Sequence, residues 1–269
     1  MTTKVLFALA LGVAALAGEL PGGALPPEGA ALWEGRWERS AMDRLIALAE
    51  RELALDGKDP GRLALLAQLW YERSTLVPEG EAEANLRRAA DYGFRALGLP
   101  GFDEGSRLSE GDLKAVLART EDPAAILWTA HSWGLLLGRM NPFTAFLSLG
   151  KIRAMYERVI ELDPGYWGGS GPQAYGALLA NLSDYGILFG VKLADAKFYF
   201  EWALLLGPDY LENHVAYAWE YARRAKDRAL FERLLREVLE APLGDWPFWN
   251  RHAKEKAAEY LAQADRLFK

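Results

Sequence analysis

Phe200-Glu201-Trp202-Ala203-Leu204-Leu205-Leu206-Gly207-Pro208 sets an aromatic residue eight positions ahead of a proline. The same spacing recurs at Tyr156 ahead of Pro164 and at Tyr92 ahead of Pro100. Leucine, alanine, arginine and glutamate favour the helix, whereas proline lacks a donor and clashes with the preceding turn. Each aromatic is therefore expected to pack into the preceding helix, and each proline to stop the chain so that the next pair can start. A fourth helix, Phe231 to Glu240, ends before Pro242 with the distance stretched.

A tetratricopeptide unit ends in this way, its second helix carrying an aromatic and then a small residue before the proline. Ala203 fits the small position, but Arg95 and Val159 do not. The prolines at 100, 164, 208 and 242 stand 64, 44 and 34 residues apart, and only the last interval equals the standard repeat of about 34. The array is degenerate, with an insertion at Gly101 to Asp112 in its first half. The alternative is a general helical bundle in which the spacings are chance, and three matched aromatic-to-proline distances argue against it. The fold class expected is all-α: a degenerate tetratricopeptide-like helical hairpin array of about four helix pairs plus a C-terminal capping helix.

Working outward, Leu45, Leu48, Ala49 and Leu53 keep helical rhythm with Arg44, Glu50, Arg51 and Glu52 among them. Asp59-Pro60, Asp122-Pro123 and Asn141-Pro142 each offer an N-cap followed by proline at the first helical position. Composition agrees, since the chain holds 45 Leu against 19 Val, Ile and Thr together, too few β-branched residues for a sandwich or a parallel sheet. Cysteine is absent, which excludes a disulfide scaffold, a thiol enzyme and any Cys-built metal site. A net charge of −6 gives no hint of the basic face that nucleic acid requires.

The first residues read as an address. Lys4 precedes an apolar run from Val5 to Ala17, and Ala15-Leu16-Ala17 has the small-x-small pattern of a signal-peptidase site. The run is 13 residues long, whereas a spanning helix needs roughly 20. Residues 1–17 are expected to be a cleaved signal peptide, with an uncleaved membrane anchor as the alternative; a lipoprotein would need a cysteine. Residues 18–29, including Pro21-Gly22-Gly23, have the composition of a flexible linker. Residues 30–269 are expected to form a single all-helical domain.

The second half carries a more specific pattern. Asn181-Leu182-Ser183-Asp184-Tyr185-Gly186 leads into Ala194-Asp195-Ala196-Lys197-Phe198-Tyr199-Phe200-Glu201-Trp202-Ala203. Val215 to Ala222, Leu234 to Leu239 and Trp249-Asn250-Arg251-His252-Ala253-Lys254-Glu255-Lys256-Ala257 follow. This order resembles the TatT component family of TRAP transporters, the tripartite ATP-independent periplasmic uptake systems, most clearly over residues 122–265. The sequence departs from that family in lacking a double glycine at Phe189-Gly190-Val191 and the lipobox cysteine that tethers some members. The resemblance implies an exported, periplasmic accessory protein that pairs with the substrate-binding P component. It also implies assembly as a homo-oligomer, by suggestion a trimer, and the holding or passing of a small apolar or organic-acid ligand. A generic tetratricopeptide scaffold that binds a protein or peptide is the alternative.

No catalytic constellation emerges. His131, His214 and His252 form no i, i+4 pair, so no helical zinc motif exists. Gly168-Gly169-Ser170-Gly171-Pro172 fails as a nucleophile elbow because its fifth position is proline and no strand precedes it. No catalytic residue, metal site or cofactor is assigned, and an enzyme is not expected. What stands out is aromatic density, with 10 Trp, 11 Tyr and 11 Phe. Aromatics with a polar tip suit a concave site that takes an apolar body and fixes one polar group, although core packing is the plainer reading. Trp128 and His131 share a helix face, while Trp133 projects elsewhere. Tyr166 and Trp167 open a glycine-rich stretch that reads as a flexible, exposed loop, and Trp246-Pro247-Phe248-Trp249 forms a further cluster. Arg139 could pair with a carboxylate ligand or simply close its helix end. The candidate ligand-binding set is Trp128, His131, Arg139, Tyr166, Trp167, Tyr175, Asn181 and Tyr185.

Overall fold

The computed structural model describes residues 27–55, 57–186 and 190–269. The expected signal peptide, the linker as far as residue 26, and Phe189 lie outside the described residues. Among the described residues there are helices and no strands: α1 (Pro27–Glu34), α2 (Arg39–Leu55), α3 (Pro60–Thr75), α4 (Glu79–Ala96), α5 (Phe102–Gly105), α6 (Glu110–Leu117) and α7 (Pro123–Leu137). They continue as α8 (Pro142–Leu162), α9 (Tyr166–Ser183), α10 (Leu193–Leu206), α11 (Glu212–Ala216), α12 (Arg228–Glu240), α13 (Pro247–Leu261) and α14 (Ala264–Leu267). A π-helical segment, Tyr217–Ala222, extends α11. Helix α1 begins inside the stretch read as linker.

The helix starts follow local chemistry. The Asp59 carboxylate accepts the Arg62 amide at 2.7 Å, Asp122 accepts Ala124 at 2.8 Å, and the Asn141 side chain accepts Thr144 at 2.9 Å. Each proline expected at the first helical position is there. Such a cap contributes about 1 kcal/mol.

The hairpins are α3/α4, α7/α8, α9/α10 and α11/α12, and each second helix ends ahead of Pro100, Pro164, Pro208 or Pro242. Helices α5 and α6 occupy the inserted segment and its flank, packing on α4 and α8. The aromatic-to-proline rule holds for Tyr156, whose ring lies 5.7 Å from His131 of α7, and for the fully buried Phe200, whose ring lies against α9 so closely that a Cβ on Gly176 would meet it at 3.4 Å, and which also stacks on Tyr217 of the following segment at 5.3 Å. Tyr92 departs from it. Its phenol bonds Glu50 of α2 at 3.1 Å, and Phe94 fills the core instead, 5.4 Å from Trp133 and 6.0 Å from Phe102. Two residues rotate a helix by roughly 200°, so only one of the pair can face α7. Trp133 belongs to this cluster, apart from Trp128, as its helical phase predicts.

The first helices and the last meet. The Arg36 guanidinium, in the α1–α2 turn, lies 3.8 Å from the Trp33 ring and 5.1 Å from that of Phe248 in α13. Arg251 of α13 lies 5.1 Å from the Trp37 ring. The helix succession thus returns on itself, and α3 is buried along almost its whole length because α2, α4 and α7 all cover it.

Candidate functional site

Where the ends meet, aromatic side chains from separate hairpins converge. Tyr71 of α3 lies 5.6 Å from Trp128 and 5.5 Å from His131 of α7, and 5.8 Å from Trp249 of α13. Trp128 continues to Trp167 at 5.1 Å, edge to face, and Trp167 to Trp246 at 5.3 Å. Tyr166 and Tyr210 flank this chain of rings.

Trp167 reaches its place through an unusual backbone. Trp167, Gly168 and Gly169 have φ values of 49°, 63° and 80°, a left-handed turn ahead of the regular part of α9. The stretch read as an exposed flexible loop is therefore an ordered turn, and Trp167 is only 7 % exposed. Glycine accepts this region freely, whereas a tryptophan there is strained by about 1–2 kcal/mol. The turn is held by Asn213, whose amide nitrogen donates to the carbonyls of Gly168 at 2.8 Å, Ala203 at 3.0 Å and Gly207 at 3.0 Å. Close packing helps: a Cβ on Gly207 would stand 2.2 Å from the Gly168 oxygen.

Charged groups are embedded among the rings. Glu72 is wholly buried. It accepts from Arg36 Nε at 2.8 Å, Gln68 Nε2 at 2.9 Å and Trp249 Nε1 at 3.2 Å. Glu212 accepts from His252 Nδ1 at 2.8 Å and has Lys256 Nζ at 3.6 Å. Burial pushes the Glu212 carboxyl upward, but Lys256 and His252 outweigh it and hold the group at about 2. Burial lowers half-buried His131 to about 4, so its ring is neutral at physiological pH while Nδ1 lies 3.1 Å from the Tyr156 hydroxyl. Burial, then Glu212 and Glu72, push the Tyr71 phenol up, so it stays a neutral donor.

Several polar atoms of the centre are buried without a hydrogen bond of normal geometry among the described residues. They include the Trp167 indole nitrogen and the Tyr166 hydroxyl. The Trp128 indole nitrogen is directed at the Tyr166 oxygen, so the Trp167 N–H and the Tyr166 O–H are the donors left over. A buried donor left unpaired costs about 1–3 kcal/mol, so the centre is equipped to take an acceptor group.

The structure brings Trp128, His131, Tyr166 and Trp167 together and places the other four candidates elsewhere. Arg139 is exposed, donates to the Leu135 carbonyl at 3.2 Å and closes the end of α7. Tyr175, in the regular part of α9, donates to Glu157 at 2.9 Å and packs on Tyr199 at 4.6 Å. Burial and then Glu157 raise its phenol to about 12. Asn181 accepts from Arg224 at 2.7 Å and donates to Glu220 at 3.1 Å, and Tyr185 is exposed just beyond α9. The reason is length: Arg139 lies past the end of α7, and Tyr175, Asn181 and Tyr185 lie along or past α9, away from the turn that carries Trp167.

Sequence reasoning missed Arg36, Gln68, Tyr71, Glu72, Tyr210 and Glu212 as members of the centre. A signal existed for two of them: Gln68 and Glu72 stand four apart beside the apolar run Leu63 to Tyr71, with Gln68 interrupting it. Surface hollows of 370, 580 and 470 Å³ lie elsewhere, lined by other residues. No group of His, Asp or Glu among the described residues is placed to hold a metal, and no described helix is long and apolar enough to cross a membrane.

A comparison with curated proteins finds no match. The family model of the TRAP transporter T-component matches residues 78–268, well over half of the chain. The match takes in the hairpins from α4 onward, including Trp128, Trp167 and Trp249, and leaves Arg36, Tyr71 and Glu72 outside it. The chain belongs to the TRAP transporter T-component family and is an accessory component of a TRAP transporter.

Proposed function

We propose that this accessory component is exported, pairs with the substrate-binding P component of its transporter, and holds or passes a small apolar or organic-acid ligand at the aromatic centre. The observation that supports the ligand is two buried donors without an acceptor, Trp167 Nε1 and the Tyr166 hydroxyl, within a wall of rings. An apolar body would replace ring-to-ring contact, and one carbonyl or carboxylate oxygen would satisfy the donors. The strained backbone of Trp167 fits a binding role, since strain of this kind collects at functional positions. Residues 30–269 act as one unit in this reading, which the contact between α3 and α13 supports.

Native mass spectrometry of the protein as purified, with denatured and extracted controls, tests the ligand. A retained organic molecule that is lost in Trp128→Ala supports the reading, and an empty protein that takes up neither fatty nor organic acids overturns it. Co-purification with the P component from purified partners tests the pairing. A trimer would cover exposed apolar side chains such as Phe198 and Leu205 of α10, and sedimentation velocity decides it.

A further inference from the structure

One surface hollow, of 580 Å³, collects positive charge on a chain whose net charge is −6. It is bordered by Lys192 at the start of α10, by Arg223, Arg224 and Lys226 after the π segment, and by a single carboxylate, Asp184. It shares no residue with the aromatic centre.

The charges do not cancel. Arg224 engages Asp184 at 3.2 Å and Glu220 at 2.6 Å, while the Asp195 carboxylate accepts the Lys192 amide at 2.8 Å and that of Asp227 accepts the Leu230 amide at 2.9 Å. Lys192, Arg223 and Lys226 have no carboxylate at ion-pair distance among the described residues. Arg223 is held in place: its Nε donates to the Trp219 carbonyl at 3.0 Å and its guanidinium lies 4.4 Å from the Trp219 ring, which stacks on Tyr260 at 3.9 Å. That leaves its terminal nitrogens for another partner. Lys226 stands in a left-handed conformation, φ 57°, where glycine or asparagine would be less strained. Leu193 and Leu267 add an apolar part to the lining. A concave surface lined by one sign of charge concentrates ions of the other sign, and a planar guanidinium flanked by ammonium groups matches carboxylate and phosphate oxygens.

We infer that this hollow is a binding site for an anionic carboxylate or phosphate group, separate from the aromatic centre, with Arg223 as its fixed ligand and Lys192 and Lys226 as its flanking charges. A free organic anion and an acidic lipid headgroup share this chemistry.

The test is an amide NMR titration of the full chain at low salt, about 20 mM, where screening is weak. The probes are inorganic phosphate, citrate and, separately, vesicles of phosphatidylglycerol with phosphatidylcholine vesicles as reference. Saturable shifts at residues 192, 223 and 226 with phosphate or citrate support a free-anion site. Binding to the phosphatidylglycerol vesicles alone, weakened by the same substitutions, supports a headgroup site. The double variant Lys192→Gln/Lys226→Gln is expected to bind at least tenfold more weakly with an unchanged fold by circular dichroism. Lys58→Gln/Lys114→Gln, which removes the same charge elsewhere, is expected to retain affinity. No saturable response to any probe, or equal weakening in both double variants, overturns the inference.

Discussion

The closure between the first and last helices rests on a buried charge, and its removal has a predictable outcome. Arg36 is 5 % exposed and Glu72 wholly buried, with Nε and Oε2 2.8 Å apart. Replacing Arg36 by methionine keeps apolar contact with Trp33 and Phe248 but leaves the carboxylate with only the Gln68 and Trp249 donors. Breaking one side of a buried pair costs about 3–5 kcal/mol. For a chain of this size, each kcal/mol moves the melting midpoint by roughly 2–4 °C, so a loss near 4 kcal/mol lowers it by about 8–16 °C. The double variant Arg36→Met/Glu72→Leu removes both charges and is expected to recover most of that loss, because an apolar pair of similar volume is often as stable as a buried ion pair. Urea titrations of wild type, both single variants and the double variant form a complete cycle. A loss below about 1 kcal/mol in Arg36→Met, or a double variant no more stable than it, would refute the reasoning.

Four further outcomes follow from the geometry. His131 has a folded value of about 4 against an ordinary 6.5, so the unfolded chain takes up its proton first. Its contribution is present above 6.5 and lost as pH falls toward 4, up to about 3 kcal/mol; urea midpoints across that window should fall less steeply in His131→Gln. Glu212, held at about 2, contributes stability that is present above its unfolded value and lost only in stronger acid. Asn213→Asp replaces the amide that serves three carbonyls with an oxygen facing them; calorimetry should show a loss of about 3 kcal/mol, and a change within about 0.5 kcal/mol would contradict the assignment. Gly207→Ala drives a methyl group into the Gly168 carbonyl; a loss of about 1–3 kcal/mol is expected, together with a changed tryptophan emission as Trp167 shifts.

The local features of the chain were legible without a structure. Asp59, Asp122 and Asn141 cap their helices because an N-cap is a contact between residues two or three apart. Leu45, Leu48, Ala49 and Leu53 are buried where helical rhythm puts them. The aromatic-to-proline spacing located the second helix of three of the four hairpins, and Trp128 and His131 do share a face of α7. Tyr92 shows where such spacing stops being sufficient, because the face a helix buries depends on what lies across from it.

Tertiary structure decided the rest. Glu72 and Trp249 are 177 residues apart, and no local pattern states that the closing helix returns to cover α3. Charge in a sequence ordinarily reads as solvated, and only the arrival of Arg36 and Trp249 at Glu72 makes it a core residue. The glycines after Trp167 announced conformational freedom; Asn213 and the close approach of Gly207 convert it into one left-handed turn that points an indole inward. Propensity and periodicity are set by neighbours along the chain, so they determine which segments coil and where they stop. Burial, pairing and the convergence of rings depend on elements that meet only after the chain has closed, and these alone determine where the centre lies.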